Sequence, residues 1–153
     1  MSVAFRREGD DEHLEPKFEL PIPPGPNLVT VRGKALIDAK VTELEAAVTG
    51  ETDEEGAKRL KRDLRYWQTR QVTAEIQPEP AGDVVAFGTR VTFRLNGKAR
   101  TLAIVGDDEA DPAQDMMSFS APLARAMMGA EVGELLPFNS RDDALEVLEI
   151  API

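Results

Sequence analysis

The chain has 153 residues, of which 42% are hydrophobic and 30% are charged, and it contains no cysteine. The composition predicts a globular protein of one or two small domains and excludes disulfide scaffolds, thiolate zinc sites and cysteine catalysis. The net charge is −10, and residues 78–153 alone carry six basic and thirteen acidic side chains. This balance argues against autonomous binding to duplex DNA and favours a protein partner with a basic or mixed surface.

Residues 1–29 are predicted to be a flexible, proline-rich leader. The charged run from Arg6 to Glu12 has no apolar period, and four prolines then favour an extended path: Pro21, Pro23, Pro24 and Pro26. The leader has no signal-peptide core, and the chain has no run of about 18 apolar residues, so we expect a cytoplasmic protein without a membrane contact. An alternative is that Phe18, Leu20 and Ile22 pack in extended form against a domain.

Residues 30–77 are predicted to form a helical hairpin. Thr30 suits an N-cap and Gly50 suits a helix end. Between them, apolar residues recur at the spacing of one helix face: Ile37, Val41, Leu44 and Val48. The second helix is predicted to start at Thr52, which has capping-box spacing to Glu55. Its apolar face comprises Ala57, Leu60, Leu64 and Trp67. Two such helices joined by a few residues pack antiparallel.

Residues 78–153 are predicted to form a domain with a small antiparallel sheet and one short helix, so the chain as a whole is α+β. An alternating strand ends at Leu95, and Asn96-Gly97 is a preferred pair for a type I′ turn into the return strand. Pro122 suits the first turn of a helix, and Gly129 suits its end. Further strands are predicted at residues 116–119, 134–138 and 145–150.

The tip of the hairpin is the first candidate site, because four carboxylates crowd it: Glu51, Asp53, Glu54 and Glu55. Carboxylates suit a hard cation such as Mg²⁺. They are too few for an autonomous site, so we expect no cofactor beyond an ion shared with a partner. The alternative is that these acids complement the dipole of the second helix.

The second helix carries the second candidate site, a basic face formed by Lys58, Arg59, Lys61, Arg62, Arg65 and Arg70. Lys58, Arg62 and Arg65 follow i, i+4, i+7 spacing, so they form one stripe that suits the phosphates of a nucleic acid. The alternative is a solvated face whose cations pair with Glu43 and Glu45 of the first helix.

The third candidate is an acidic loop that contains Asp107, Asp108, Glu109 and Asp111 and precedes the short helix. The loop lacks a nucleophile with a neighbouring base, so it suits docking rather than catalysis. A plain solvated loop is the alternative.

Two stretches, IVGDDEADP (residues 104–112) and SFSAPLARAMMGAEVGE (residues 118–134), resemble the C-terminal domain of the bacterial Gre transcript-cleavage factors. FGTRVTF (residues 87–93) is similar to the first strand of that domain. Val29, Thr30, Arg32 and Gly33 match a V-T-x-R-G pattern at the start of the family's coiled coil. The resemblance covers residues 28–150, and the leader has no counterpart in typical members.

The resemblance implies a monomeric factor that docks on RNA polymerase through a C-terminal domain similar in fold to FK506-binding proteins. The hairpin then enters the secondary channel, where it can meet nascent RNA and where its acidic tip helps to hold the second catalytic Mg²⁺. The polymerase, and not the factor, hydrolyses backtracked RNA. The similarity to FK506-binding proteins also suggests peptidyl-prolyl isomerase activity as an alternative, but fold alone is a weak warrant.

Carried over position by position, the resemblance assigns the family's acidic tip pair to Glu51 and Glu54, with Asp53 between them. The family's Asn and Glu-Tyr after this pair are absent here. The docking signature S-P-x-A-R occurs with Ala121 in place of serine. The docking residues that it implies are Asp107, Asp108, Glu109, Asp111, Ser120, Pro122, Leu123 and Arg125.

The hairpin is shorter than in typical Gre factors by about a dozen residues in each arm, roughly 15–20 Å of reach. We therefore expect weak stimulation of cleavage. The alternative is a channel-binding regulator that does not stimulate cleavage, similar to the regulator of nucleoside diphosphate kinase.

Overall fold

The computed structural model describes residues 19–153, so the charged run from Arg6 to Glu12 lies outside the described part. The described residues form two compact units. The helical unit contains Ile37–Thr73 and the described residues up to Gly25. The C-terminal unit contains Pro26–Leu36 and Ala74–Ile153. Within residues 19–153, no helix combines the length and the apolar character that a membrane-spanning segment requires.

Two long helices form the predicted hairpin: α1 (Val31–Gly50) and α2 (Glu54–Thr73). Ile37, Val41 and Leu44 are buried, which confirms three of the four predicted apolar positions of α1, and the fourth, Val48, is half-buried. The Gln71 side-chain amide donates to Asp38 Oδ1 at 2.9 Å. Because this bond joins the end of α2 to the early part of α1, and the connection between the helices is short, the two helices run antiparallel.

The segment before α1 differs from the predicted leader. Residues Asn27–Val29 form strand β1, which pairs in parallel with β2 (Ala74–Ile76) immediately after α2. This pair was missed because each strand has only three residues and its partner lies on the far side of the hairpin. Among the leader residues proposed to pack, Phe18 lies outside the described part, Leu20 is half-buried and Ile22 is exposed.

The C-terminal unit also contains a five-stranded sheet in the order β5-β4-β3-β7-β6. Its strands are β3 (Thr89–Leu95), β4 (Lys98–Val105), β5 (Met116–Ser118), β6 (Leu135–Phe138) and β7 (Arg141–Pro152). A 3-10 helix (Pro112–Gln114) precedes β5, and α3 (Pro122–Met127) follows it. The α+β class is confirmed. The sheet is mixed rather than antiparallel throughout, because the chain reaches β5 through a long loop and β5 pairs with β4 in parallel.

The β3–β4 hairpin turns as predicted. Asn96 and Gly97 have φ angles of 50° and 87°, and the strands pair in register from Leu95 and Lys98 onward. Both residues therefore have the positive φ that a type I′ turn requires. A second two-residue turn, which the sequence analysis did not identify, joins β6 to β7 at Asn139 and Ser140, whose φ angles are 50° and 66°.

The core of the C-terminal unit lies between the five-stranded sheet and α3. Val91 and Phe93 of β3 and Leu145 and Val147 of β7 are fully buried. Ala124 and Met127 of α3 belong to the same cluster. The inward positions of β3 alternate with more exposed ones, as expected for a strand buried on one face. This packing holds α3, which carries three of the predicted docking residues: Pro122, Leu123 and Arg125.

Candidate functional site

The hairpin tip is organised by two of its own carboxylates. Asp53 Oδ2 accepts from the Gly56 amide at 2.7 Å, and Glu51 Oε2 accepts from the Asp53 amide at 2.9 Å. The N-cap of α2 is therefore Asp53, one residue after the predicted Thr52. The predicted capping box between Thr52 and Glu55 is wrong, because α2 begins one residue later than the pattern suggested.

The tip acids differ in their surroundings. Glu51 is half-buried against the first turn of α2, whereas Glu54 is exposed. Glu55 is exposed and lies 3.8 Å from the Lys58 ammonium. Within residues 19–153, no group of three or more His, Cys, Asp or Glu residues is arranged to hold a metal ion. Of the proposed acidic pair, Glu54 is the exposed member, while Glu51 already accepts a backbone hydrogen bond.

Replacement of the N-cap should destabilise the hairpin. We expect Asp53→Ala to lower the free energy of unfolding by about 1 kcal/mol, because the Gly56 amide loses its acceptor. Thr52→Ala is the matched control and should leave the stability within about 0.5 kcal/mol of the wild type. Urea unfolding followed by the fluorescence of Trp67 measures both changes, since this tryptophan lies on α2. A larger loss of stability in the Thr52 variant than in the Asp53 variant would contradict this assignment and support the capping box predicted from the sequence.

The basic stripe on α2 (Lys58, Arg62 and Arg65) is paired with acids other than those predicted. Arg62 contacts the adjacent Asp63 through Nε at 3.0 Å and Nη2 at 2.8 Å. Arg65 contacts Glu19. The predicted partner Glu43 instead lies 3.6 Å from Lys40 on its own helix. The stripe is thus partly neutralised by neighbours on α2 and by the segment that precedes β1.

The Glu19–Arg65 contact is bidentate. Arg65 Nε donates to Glu19 Oε1 at 2.9 Å, and Arg65 Nη2 donates to Glu19 Oε2 at 2.5 Å. These hydrogen bonds, together with the positive charges of Arg65 and Arg62, hold the pKa of the Glu19 carboxyl below its ordinary value. Both side chains remain substantially exposed to solvent. Glu19 was not identified from the sequence, because the period of α2 gives no information about which leader residue meets it.

One member of the predicted basic face is not on the surface. Arg70 lies in the last turn of α2 and is 1% exposed. A guanidinium this buried cannot contact a phosphate of a bound nucleic acid. The predicted basic face is therefore wrong at Arg70, and the accessible cations lie nearer the tip.

The loop after β4 is held by a network of hydroxyl and carboxylate groups. Asp107 Oδ1 accepts from Ser118 Oγ at 2.5 Å and from Ser120 Oγ at 2.8 Å. The Ser120 amide also donates to Ser118 Oγ at 3.1 Å. These bonds connect the start of the acidic loop to the turn that precedes α3. Two of the predicted docking residues, Asp107 and Ser120, are thereby brought into direct contact.

Glu109 occupies the interior of the C-terminal unit and not its surface. Its side chain is 4% exposed. Oε1 accepts from Thr30 Oγ1 at 2.6 Å, and Oε2 accepts from Arg32 Nη1 at 2.9 Å. The Gly33 amide donates to Thr30 Oγ1 at 2.9 Å, so Thr30 is the N-cap of α1, as predicted. Glu109 therefore joins the acidic loop to the first turn of α1, where a negative charge is favoured by the helix dipole.

The remaining predicted docking residues lie around α3 and the loop. Asp111 caps the 3-10 helix by accepting from the Ala113 amide at 3.1 Å. Asp108 is half-buried. Pro122 and Arg125 are exposed on α3, whereas Leu123 packs against the core cluster. We use the term docking edge for the accessible members of this set: Asp107, Asp108, Asp111, Ser120, Pro122 and Arg125.

Thr30 and Arg32 are structural residues whose partner could not be identified from the sequence. Both belong to the stretch that resembles the start of the Gre coiled coil, so the resemblance was the only signal available. Their partner, Glu109, lies in an acidic run, where a carboxylate is usually expected to face solvent.

Comparison with known proteins finds a family model that matches most of the C-terminal unit. Residues 79–152 match the family model of the C-terminal domain of the transcription elongation factors GreA and GreB. GreA of Rhizobium etli (strain CIAT 652) is 36% identical over 75 residues, which cover 46% of this chain and 48% of that protein. GreA of Chelativorans sp. (strain BNC1) is 39% identical over 74 residues, which cover 46% and 47%. The matches thus span about half the length of these curated relatives.

Solved structures give weaker likenesses over more of the chain. GreA factor homolog 1 of Thermus thermophilus is 16% identical, with a TM-score of 0.38 over 83% of this chain and 99% of that one. A GreA/GreB elongation factor from Nitrosomonas europaea is 17% identical, with a TM-score of 0.39 over 84% and 99%. The sequence matches over residues 79–152 are the stronger finding. Residues 79–152 are thus similar to the C-terminal domain of the GreA and GreB transcription elongation factors.

Proposed function

We propose that this chain is a Gre-type elongation factor that binds bacterial RNA polymerase at its secondary channel, in the cytoplasm, and modulates elongation, pausing or cleavage of backtracked RNA. The observation that carries the proposal is the match of residues 79–152 to the GreA/GreB C-terminal domain. The relatives that match this region are named as transcription elongation factors.

The docking edge supports binding through the C-terminal unit. Asp107 fixes Ser120 through a hydroxyl hydrogen bond, and Ser120 lies directly before the exposed start of α3. A surface whose polar groups are held in place before binding loses less conformational freedom when a partner docks. Glu109 is excluded from this surface by its burial.

The hairpin supports a modulating role more than strong stimulation of cleavage. Each helix has 20 residues, which corresponds to about 30 Å at 1.5 Å per residue. The resemblance implies that typical members have longer arms, so a tip on shorter arms stops before the polymerase's catalytic Mg²⁺. In this proposal Glu51, Asp53 and Glu54 approach the active centre, and the catalytic groups belong to the polymerase.

Binding to purified core RNA polymerase tests the proposal. We expect a complex at micromolar concentrations, and Arg125→Glu should weaken it by about tenfold, since arginines are frequent hot spots of protein interfaces. Arg141→Glu is the matched control, because Arg141 is also exposed but lies at the start of β7, away from α3 in the sequence. Affinity can be measured by fluorescence anisotropy of the labelled factor.

Two results would contradict the proposal in different ways. Absence of any complex with polymerase would overturn the function itself. Equal losses in the Arg125 and Arg141 variants would retain the function but remove the docking edge. In the same preparations, we expect stalled complexes to be cleaved only weakly. Rapid cleavage that disappears when Glu51 and Glu54 are both replaced by alanine would show that the short hairpin does reach the active centre.

A further inference from the structure

The segment before β1 meets the basic stripe of α2 at one point. The Glu19 carboxylate accepts two hydrogen bonds from Arg65, one from Nε and one from Nη2. Arg62 adds a second positive charge that stabilises the ionised Glu19. Glu19 and Arg65 both belong to the helical unit. The contact is therefore internal to the unit that carries the predicted nucleic-acid surface.

The edge of Arg65 that Glu19 occupies is one that a phosphate would use. A guanidinium offers paired N–H groups that match the two oxygens of a carboxylate or a phosphate equally well. A phosphate can therefore take the Nε–Nη2 edge only after Glu19 has left it. We propose that Glu19 is an intramolecular competitor that masks Arg65 and lowers the affinity of the α2 stripe for single-stranded nucleic acid.

The exposure of the pair sets the strength of this masking. The side chains are 53% exposed at Arg65 and 43% exposed at Glu19. Ion pairs this exposed are weak and are screened by salt. Glu19 therefore tunes the affinity of the stripe and does not block it. Glu19 is displaced from Arg65 when another contact brings a nucleic acid close to α2. That other contact is the proposed binding to polymerase, so this step of the inference rests on the proposed function.

The charge of the chain before Glu19 points in the same direction. Between Glu8 and Glu15 the sequence contains no lysine or arginine and five acidic residues: Glu8, Asp10, Asp11, Glu12 and Glu15. These charges contribute to the net charge of −10, which opposes the approach of phosphates to the chain, and this effect adds to the direct occupation of Arg65.

The experiment measures the binding of a fluorescent oligouridylate of about twenty nucleotides to the full chain at low salt. Glu19→Gln should tighten binding by about two- to fivefold, the range expected when an exposed ion pair no longer has to be broken. Glu45→Gln is the matched control, because it removes one exposed negative charge from α1 and should change the affinity much less. Arg65→Gln should weaken binding.

A double-mutant cycle separates direct masking from a general charge effect. In the Arg65→Gln background, Glu19→Gln should have little further effect, because its gain depends on the loss of the Glu19–Arg65 contact. An equal gain with and without Arg65, or an equal gain in the Glu45 control, would overturn the masking. Absence of RNA binding in every variant would also overturn it, yet would leave the proposed function intact if the chain still binds polymerase. If the chain does not bind polymerase but the double-mutant cycle gives the expected result, the masking is supported and the proposed function is overturned.

Discussion

Replacement of Gly106 by alanine is expected to lower the free energy of unfolding of the C-terminal unit by about 2–3 kcal/mol. Gly106 is buried directly after β4, and a Cβ at this position would overlap the backbone carbonyl oxygen of Leu28 in β1. Backbone atoms cannot rotate away as the end of a side chain can, so either β1 or the loop must move. The β1–β2 pair should be weakened first, because it contains only three residues in each strand.

Hydrogen exchange is the suitable measurement for this variant. The single tryptophan, Trp67, belongs to the helical unit, whereas exchange of individual amides can be followed within the C-terminal unit itself. Faster exchange of the amides of β1 to β4 is the expected result. Gly50→Ala is the matched control, because nothing lies within 4 Å of a Cβ built there and alanine favours helix over glycine. Unchanged exchange in the Gly106 variant would contradict the prediction, because it would mean that the Leu28 backbone can move to accommodate the added Cβ without weakening β1.

Loss of Glu109 is the second large effect. We expect Glu109→Ala to cost about 2 kcal/mol, because it removes a buried carboxylate and leaves Thr30 and Arg32 without their acceptor. Arg32 is half-exposed and recovers part of its hydration, which keeps the loss below the range for a fully buried pair. Chemical unfolding followed by circular dichroism measures this change.

The role of Glu109 can be separated from docking by two comparisons. The Glu109→Ala, Arg32→Ala double variant should be only slightly less stable than Glu109→Ala alone, since Arg32 acts through Glu109. Asp142→Ala, which removes an exposed carboxylate of β7, should be within about 0.5 kcal/mol of the wild type. Under conditions where the Glu109 variant stays folded, its affinity for polymerase should remain near that of the wild type. A loss of affinity for polymerase without loss of folding would mean that Glu109 contributes to docking.

The sequence predicted those features that local spacing determines. The apolar period placed Ile37, Val41 and Leu44 on the buried face of α1, and Thr30 was correctly identified as its N-cap. Asn96-Gly97 predicted a hairpin because its chemistry limits the backbone to one kind of turn. The N-cap of α2 was displaced by one residue, since both Thr52 and Asp53 are chemically suitable and only the packed hairpin selects between them.

Features that depend on distant pairs were not predictable in this way. Glu109 and Arg32 are 77 residues apart in the chain, and an acid inside a run of acids gives no local sign of burial. The parallel pairing of β5 with β4 was equally hidden, because a short strand after a long loop can return in either direction. In the candidate site, the sequence analysis named the acids and Ser120 of the predicted docking edge, whereas their hydrogen bonds, which also include Ser118, emerged only from the fold.

The parallel pair of β1 and β2 has a consequence for how this protein can change over evolutionary time. The residues that precede the hairpin and those that follow it are paired in one small sheet, from Asn27 with Ala74 to Val29 with Ile76. The hairpin is thus an insertion between two adjacent strands of the C-terminal unit. Matched turns can be added to or removed from both arms while the strands on either side keep their register. Reach can therefore diverge between relatives while the domain that they share is conserved.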